Sequence, residues 1–486
     1  MVLGEKDREP HPLLDEQVLR RVLTDISTSA APAALGELIR LLASMPDVRD
    51  MDVRNTARQV FALDEAAQAQ VRQAAGLYLS NAYSARSVRY KALGQDFHAF
   101  LGQVYDLLMS GLIGDFTIPR DDPLRAEILL RTVRTAAGEF KWAAFDYQSL
   151  SPEAWRRAMS AYRLALSAGV ADLPVRLREG RESRTTVSRE FARLVAMQCA
   201  GFEQLSPERI EAADKLMRFV QHALRLTGEP LEGSQFSVDL DGFERPRRLL
   251  NLPEAAGTLR FFRPGDAVPV LGDLAGSVLL PGGHAAFAGT NPVEIGAAIA
   301  HLNRQWGARA PMRQYRRHPM RGEVSLSTGL GLIRSLISGE AQFRPAPAWH
   351  LVDASRDGFC LASRLFDGEV CRVGTLVGAY LGEWGTWTLA VVRRVQHSER
   401  QGTSIGLQIL TSGPRPAALD DGSRSWLGVL CDPVVRGRAL RIVCEPGFTG
   451  LGGRLFVKQG PRTVKADVEH LVARGPGFEV WGCKVR

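Results

Sequence analysis

The feature that most constrains this chain is a change of hydrophobic period near Gly228. Before it, apolar residues recur three and four positions apart, as in Val18, Leu19, Val22, Leu23 and again in Leu35, Leu38, Ile39, Leu42. That spacing puts the apolar side chains on one face of a helix. After it, Gly, Pro and Asp become frequent and the apolar runs shorten to strand length, as in Phe236-Ser237-Val238 and Thr258 to Phe262. Short extended runs between turn residues read as β-strands. The 486 residues therefore predict a multidomain α + β protein: an all-α N-terminal region and then small antiparallel β modules.

The helical region runs from about residue 12 to 228. Ser151-Pro152-Glu153 and Ser206-Pro207-Glu208 each place a capping hydroxyl, then a proline that needs no N–H partner, then a carboxylate at the positive end of the helix dipole. Trp155, Ala158, Tyr162, Ala165 and Gly169 weakly resemble one helix pair of a tetratricopeptide-like array, but no 34-residue period continues it. An irregular helical bundle is the expectation, with a surface for a protein partner. Residues 229–306 read as a mixed connecting region. It holds the loop-like run around His284, which no catalytic partner motif supports, and a helix from Val293 to Trp306 capped by Asn291.

Beyond Trp306 the pattern is mostly β. Strands are expected at Val324–Leu326, Trp349–Val352, Gly358–Leu361, Trp387–Val395 and Ser404–Leu410. Gly413 to Gly422 reads as a Pro/Gly/Asp-rich joint. Five more strands follow: Trp426–Cys431, Ala439–Cys444, Gly453–Val457, Val464–Val468 and Phe478–Val485. Strands at this spacing suggest two small barrel-like modules in tandem, 307–412 and 413–486, after a helical domain at 1–228.

Charge and cysteine usage exclude more than they identify. Lys and Arg number 61 against 53 Asp and Glu, a net +8 that suits an anionic partner. No apolar run reaches the roughly 18 residues needed to span a bilayer, and the charged N-terminus lacks a signal core. A cytoplasmic protein is expected. The six cysteines form no CxxC pair, so buried, reduced thiols are expected and no metal site.

Two features of the first β module carry chemistry. One is the run Arg313-Gln314-Tyr315-Arg316-Arg317-His318-Pro319-Met320-Arg321. The other is the turn Asp353-Ala354-Ser355-Arg356-Asp357-Gly358. A guanidinium forks onto phosphate, or onto O6 and N7 of guanine, and stacks on a base. The Asp353 carboxylate can accept from guanine N1 and N2, and the Ser355 hydroxyl can donate or accept. Gly358 permits a conformation or an approach that a side chain would block. Taken alone, an arginine cluster is usually a solvated face, and Asp-x-Ser-x-x-Gly can be a simple Asx turn.

Together, and in this order, these residues resemble the PilZ family, which pairs an Arg-x-x-x-Arg loop with Asp/Asn-x-Ser-x-x-Gly on a six-stranded antiparallel barrel. The first motif matches as Arg317 to Arg321, with Arg316 preceding it, and Arg313 with Arg317 has the same spacing. The second matches as Asp353, Ser355 and Gly358. Gly374 to Tyr380, Val391 to Val395 and Ile405 to Gln408 are similar in texture. The resemblance spans roughly 310–412 and implies cyclic di-GMP as ligand. One departure is the interval of 32 residues from Arg321 to Asp353, whose extra length around Gly329 to Pro347 is expected to be an extended hairpin or insertion, able to cover or reshape the site.

The resulting expectation is a cyclic di-GMP receptor that couples the ligand to a rearrangement or to a protein partner. The alternative is a non-enzymatic scaffold with a barrel that has lost the nucleotide. Binding to a nucleic-acid polymer is disfavoured, because no basic stripe interleaved with aromatics appears. No phosphate loop, nucleophile elbow or paired acid–base motif suggests an enzyme.

Overall fold

The structure is a computed structural model that describes residues 15–45, 52–80, 85–115, 117–178, 182–251, 257–278, 280, 285–287, 289–307, 315–342, 349–364, 368, 370–382, 385–398, 400–447, 453–460 and 462–486. The chain divides into two compact units, residues 1–202 with 207–311, and residues 312–486 with 203–206.

The first unit opens with α1 (Glu16–Thr28), α2 (Ala31–Ser44), α3 (Val53–Ser80), α4 (Ala85–Gly114), α5 (Pro123–Ala144) and α6 (Pro152–Ala168). A hairpin, β1 (Val175–Arg178) and β2 (Glu182–Thr185), interrupts the helical run before α7 (Val187–Gln198) and α8 (Pro207–Phe219). Four short strands follow: β3 (Leu226–Thr227), β4 (Phe236–Asp239), β5 (Arg247–Arg248) and β6 (Leu259–Phe262). The unit closes with α9 (Val268–Val278) and α10 (Pro292–Trp306). The expected caps are present: Ser151 accepts from the Ala154 N–H at 3.1 Å and Asn291 from the Val293 N–H at 2.9 Å. Helix α5 packs against α4, α6 and α7 and is buried almost all round. It can bury Arg131 because Asp64, Glu65 and Glu127 hold the guanidinium at 3.0, 2.6 and 2.8 Å, and a buried charge persists only when paired.

The second unit is two closed antiparallel barrels. The strands of the first are β7 (His318–Pro319), β8 (Glu323–Thr328), β9 (Trp349–Ser355), β10 (Gly358–Ser363), β11 (Leu376–Leu381), β12 (Thr386–Ser398) and β13 (Gly402–Thr411), with α11 (Leu330–Ser338) between β8 and β9. Strands β8, β9, β10, β13, β12 and β11 pair in that circular order, and β7 adds to the free stretch of β9. The second barrel is β14 (Arg415–Asp420), β15 (Ser425–Leu430), β16 (Ala439–Cys444), β17 (Arg454–Gln459), β18 (Arg462–Gly475) and β19 (Phe478–Val485). Its circular order is β14, β15, β16, β19, β18, β17. Numbered within each barrel, both run 1-2-3-6-5-4, so the same topology occurs twice in tandem.

Two expectations are corrected. The 413–422 segment is not merely a joint: Arg415–Asp420 is the first strand of the second barrel. Its composition hid a period-two pattern in which Ala417 and Leu419 face the core, and Pro416 lies beyond the end of the ladder with β17, so on that edge it interrupts no pairing. The interval before Asp353 holds no extended hairpin among its described residues. It holds β8 and the helix α11, whose Leu330, Ile333 and Leu336 are buried; residues 343–348 lie outside the described set. Gly339, with φ of 77°, ends the helix in the left-handed conformation that glycine adopts most cheaply. Leu330 and Ile333 join Leu376, Leu389 and Val391 of the first barrel and Val429, Val443, Phe478 and Val480 of the second in one apolar cluster. The insertion therefore helps fuse the two barrels. Gly378 lets α11 approach, since a Cβ there would lie 3.0 Å from Ile333.

All six cysteines are buried and unbridged, as expected. No helix of the described residues is long and apolar enough to cross a membrane.

Candidate functional site

The two motifs meet on strand β9. Asp353 and Ser355 lie at its C-terminal end, and a two-residue turn, Arg356-Asp357, leads to Gly358 at the start of β10. The arginine run lies along the other edge of β9, where His318 pairs with Ala354 and Pro319 with Asp353. Beyond this pairing the Met320 N–H donates to the Val352 carbonyl at 3.2 Å, and the Leu351 N–H to that of Gly322 at 2.9 Å. Arg317 and Arg321 thus flank three residues, His318, Pro319 and Met320, pinned to the strand that carries Asp353. The structure thereby holds the centre of the run in place.

The side chains then sort by partner. Arg317 Nη1 donates to Asp353 Oδ1 at 2.5 Å, with both side chains about a quarter exposed. Arg316 and Arg321 are exposed and make no hydrogen bond or ion pair with other described residues. The Arg356 guanidinium sits 5.7 Å over the Tyr315 ring, which brings the turn and the start of the run together. Ser355 Oγ donates to the Gly358 carbonyl at 3.2 Å, closing the turn. Arg313 lies outside the described residues.

Gly358 is required by close approach and not by a left-handed φ. A Cβ there would lie 2.1 Å from the Leu407 carbonyl oxygen on β13. The Ile409 N–H donates to the Asp357 carbonyl at 2.8 Å, so β13 holds the turn from its far side.

Sequence reasoning missed Arg393 and Gln408. Gln408 stands opposite Gly358, and Arg393 Nε donates to Gln408 Oε1 at 2.8 Å. These residues add a cation and an amide to the motif's strip of surface. Alternation along β12 does not reveal them, because Arg393 is the extra residue of a bulge between Val392 and Arg394. The same row of partners runs from Gly358 to Gln408, Val391 and Leu376 across four strands. Its last two members are in the cluster shared with the second barrel.

Chemically, the rim offers several guanidiniums, the carboxylates of Asp353 and Asp357, one hydroxyl and an amide at one end of the barrel. Such a set suits an anion that also has hydrogen-bond donors.

Two family models match the chain. Residues 17–231 match "Cyclic-di-GMP receptor FimW, N-terminal domain", and residues 344–416 match "Cyclic-di-GMP receptor FimW, middle PilZ domain". The second match includes Asp353, Ser355 and Gly358 and begins after the arginine run. No curated protein and no solved structure matches the chain.

Proposed function

We propose, from the premise that this chain belongs to the PilZ-domain family of cyclic di-GMP receptors, that the nucleotide binds at the β9 rim through Arg316, Arg317, Arg321, Asp353, Ser355 and Gly358, with Arg313 as the alternative partner of Arg317. The observation that carries this reading is the Arg317–Asp353 pair beside two arginines that have no partner among the described residues. Guanine presents acceptors at O6 and N7 to a guanidinium, and donors at N1 and N2 to a carboxylate. A ligand that separates the pair can therefore satisfy both members. The pair itself is partly exposed, so opening it costs only about 0–1 kcal/mol. The free arginines are left to neutralise the two phosphates. Affinity in the range of about −7 to −12 kcal/mol is expected.

The ligand's effect is proposed to spread in two directions. One is the row Gly358–Gln408–Val391–Leu376 to the core between the barrels. The other is the segment from Trp306 to Arg321, which links the helical unit to the rim in sequence, so that ordering the rim biases the helical unit toward a protein partner. The working division is a helical output region at 1–228, a connecting region at 229–306, the nucleotide-binding barrel at 307–412 and a structural barrel at 413–486, in a cytoplasmic protein.

Hydrogen exchange with and without cyclic di-GMP tests this. Protection should appear at 315–321 and 353–358, with smaller changes in α11 and in the helical unit. Unchanged exchange at both motifs would overturn the assignment of the rim; changes confined to the rim would remove only the coupling.

A further inference from the structure

The first unit holds a cavity of about 500 Å³ that neither motif touches. It lies where α6, the first turn of α7, β3 and β6 converge. That volume falls in the range of small-molecule sites, about 300–1,000 Å³.

Its lining is strongly one-signed. Arg189, Arg225 and Arg260 face it against the single carboxylate of Asp172. Arg189 and Arg225 are exposed, and their guanidiniums have no hydrogen-bond or ion-pair partner among the described residues. Unpartnered guanidiniums that converge on a concavity raise the local concentration of anions, because low-dielectric walls focus the field.

The floor is built and not merely charged. Tyr162 is buried, its ring stacked 4.3 Å from that of Phe191. Arg260 is held by the Gly257 and Leu259 carbonyls at 3.0 and 2.8 Å. Ser188 donates to the Ala171 carbonyl at 3.2 Å. Thr186 caps α7 by accepting from the Arg189 N–H at 3.2 Å, which fixes that residue in the helix's first turn, where the dipole is positive. Leu166, Leu224 and Leu226 supply an apolar wall.

We propose that this cavity is a second ligand site, in the helical unit, for a small phosphorylated organic anion of about nucleotide size. The phosphate would lie between Arg189 and Arg225, and the organic part against the leucines and the Tyr162 edge. A bare anion uses only half of such a lining, and an uncharged molecule leaves the guanidiniums unpaired.

The test is thermal unfolding and calorimetry on the full chain with inorganic phosphate, pyrophosphate, guanosine monophosphate and cyclic di-GMP as probes. Guanosine monophosphate should bind with a dissociation constant at or below about 1 mM, at least tenfold tighter than inorganic phosphate. The Arg189→Glu, Arg225→Glu double variant should lose that binding, while Asp353→Ala keeps it. Both arginines are exposed, so the variant should fold, and an unchanged helical circular dichroism spectrum checks this. A second cyclic di-GMP equivalent that disappears in the same double variant also supports the site. Absence of binding by every phosphorylated probe, or organic-phosphate binding that survives the charge reversal, would overturn it.

Discussion

The two barrels of the second unit share one strand order and differ at their rims. In the first, strands two and three meet in the two-residue turn Arg356-Asp357, and Asp353 shares a single bond with Arg317 while Arg316 and Arg321 stand free of partners among the described residues. In the second, the corresponding connection is the longer 431–438 segment, and its Asp432 takes three hydrogen bonds from Arg441, through the backbone N–H, Nε and Nη2 at 2.7–2.9 Å. The difference lies in the acids, since Arg436 and Arg438 of the second rim are exposed as well. The same fold thus carries a singly bonded acid at one rim and a triply bonded one at the next. A shared topology does not by itself fix function, which depends on the chemistry of a site.

The largest effect should come from separating the barrels. Ile333 is fully buried in their common core, so Ile333→Ala should cost about 2–4 kcal/mol. Urea unfolding followed at Trp349 and Trp481 should show both barrels weakened together. If only the first responds, the core is not shared energetically.

Gly358→Val comes next. Its Cβ meets the Leu407 carbonyl at 2.1 Å, so it should abolish nucleotide binding and destabilise the first barrel by about 1–3 kcal/mol. Gly437 has φ of 78° and open space around its would-be Cβ. Gly437→Ala should cost about 1–2 kcal/mol from the left-handed backbone alone and leave binding unchanged. Equal loss of binding in the two would break the comparison.

Arg317→Ala and Arg321→Ala should each weaken cyclic di-GMP binding by about 1.5–3 kcal/mol, the value of a lost charged hydrogen bond. Calorimetry should find Arg441→Ala indistinguishable from the parent. If Arg313→Ala removes binding and Arg321→Ala does not, the active pair is Arg313 with Arg317.

The smallest effect concerns acid. Burial disfavours the Asp432 charge, but the hydrogen bonds and charge of Arg441 outweigh it and hold the carboxyl below its usual range. The pair's contribution is therefore complete above the ordinary aspartate range and fades as the pH falls through the depressed native value. It amounts to at most about 1 kcal/mol, because both groups are partly exposed. Arg441→Ala should lower stability by that amount at pH 7 and by less near pH 3 in acid-unfolding curves. A constant difference across that range would show that the guanidinium acts through packing alone.

Local chemistry was legible in the sequence. The Asn291 and Ser151 caps and the strands beside Asp353 follow from short-range rules, and the pairing of the two motifs on one module from the family resemblance. What remained hidden depends on distant partners. Leu330, Ile333 and Leu336 are three apart, but Gly329, Gly331 and Gly339 masked the helix, and its role is fixed by a barrel a hundred residues later. Strand β14 was obscured by Pro416 and its flanking glycines. The repeated 1-2-3-6-5-4 order and the Arg393–Gln408 contact arise from pairing across strands, which periodicity along one strand does not encode.

The central claim, that the first barrel's rim reads a guanine dinucleotide through paired arginine and aspartate, is tested most directly by calorimetric titration of the full chain with cyclic di-GMP and with cyclic di-AMP. The account predicts saturable binding of cyclic di-GMP with a micromolar or tighter dissociation constant, at least about 100-fold weaker binding of the adenine analogue, and loss of that preference in Asp353→Ala. Equal affinity for the two nucleotides, or no heat from cyclic di-GMP at high concentration, would contradict it.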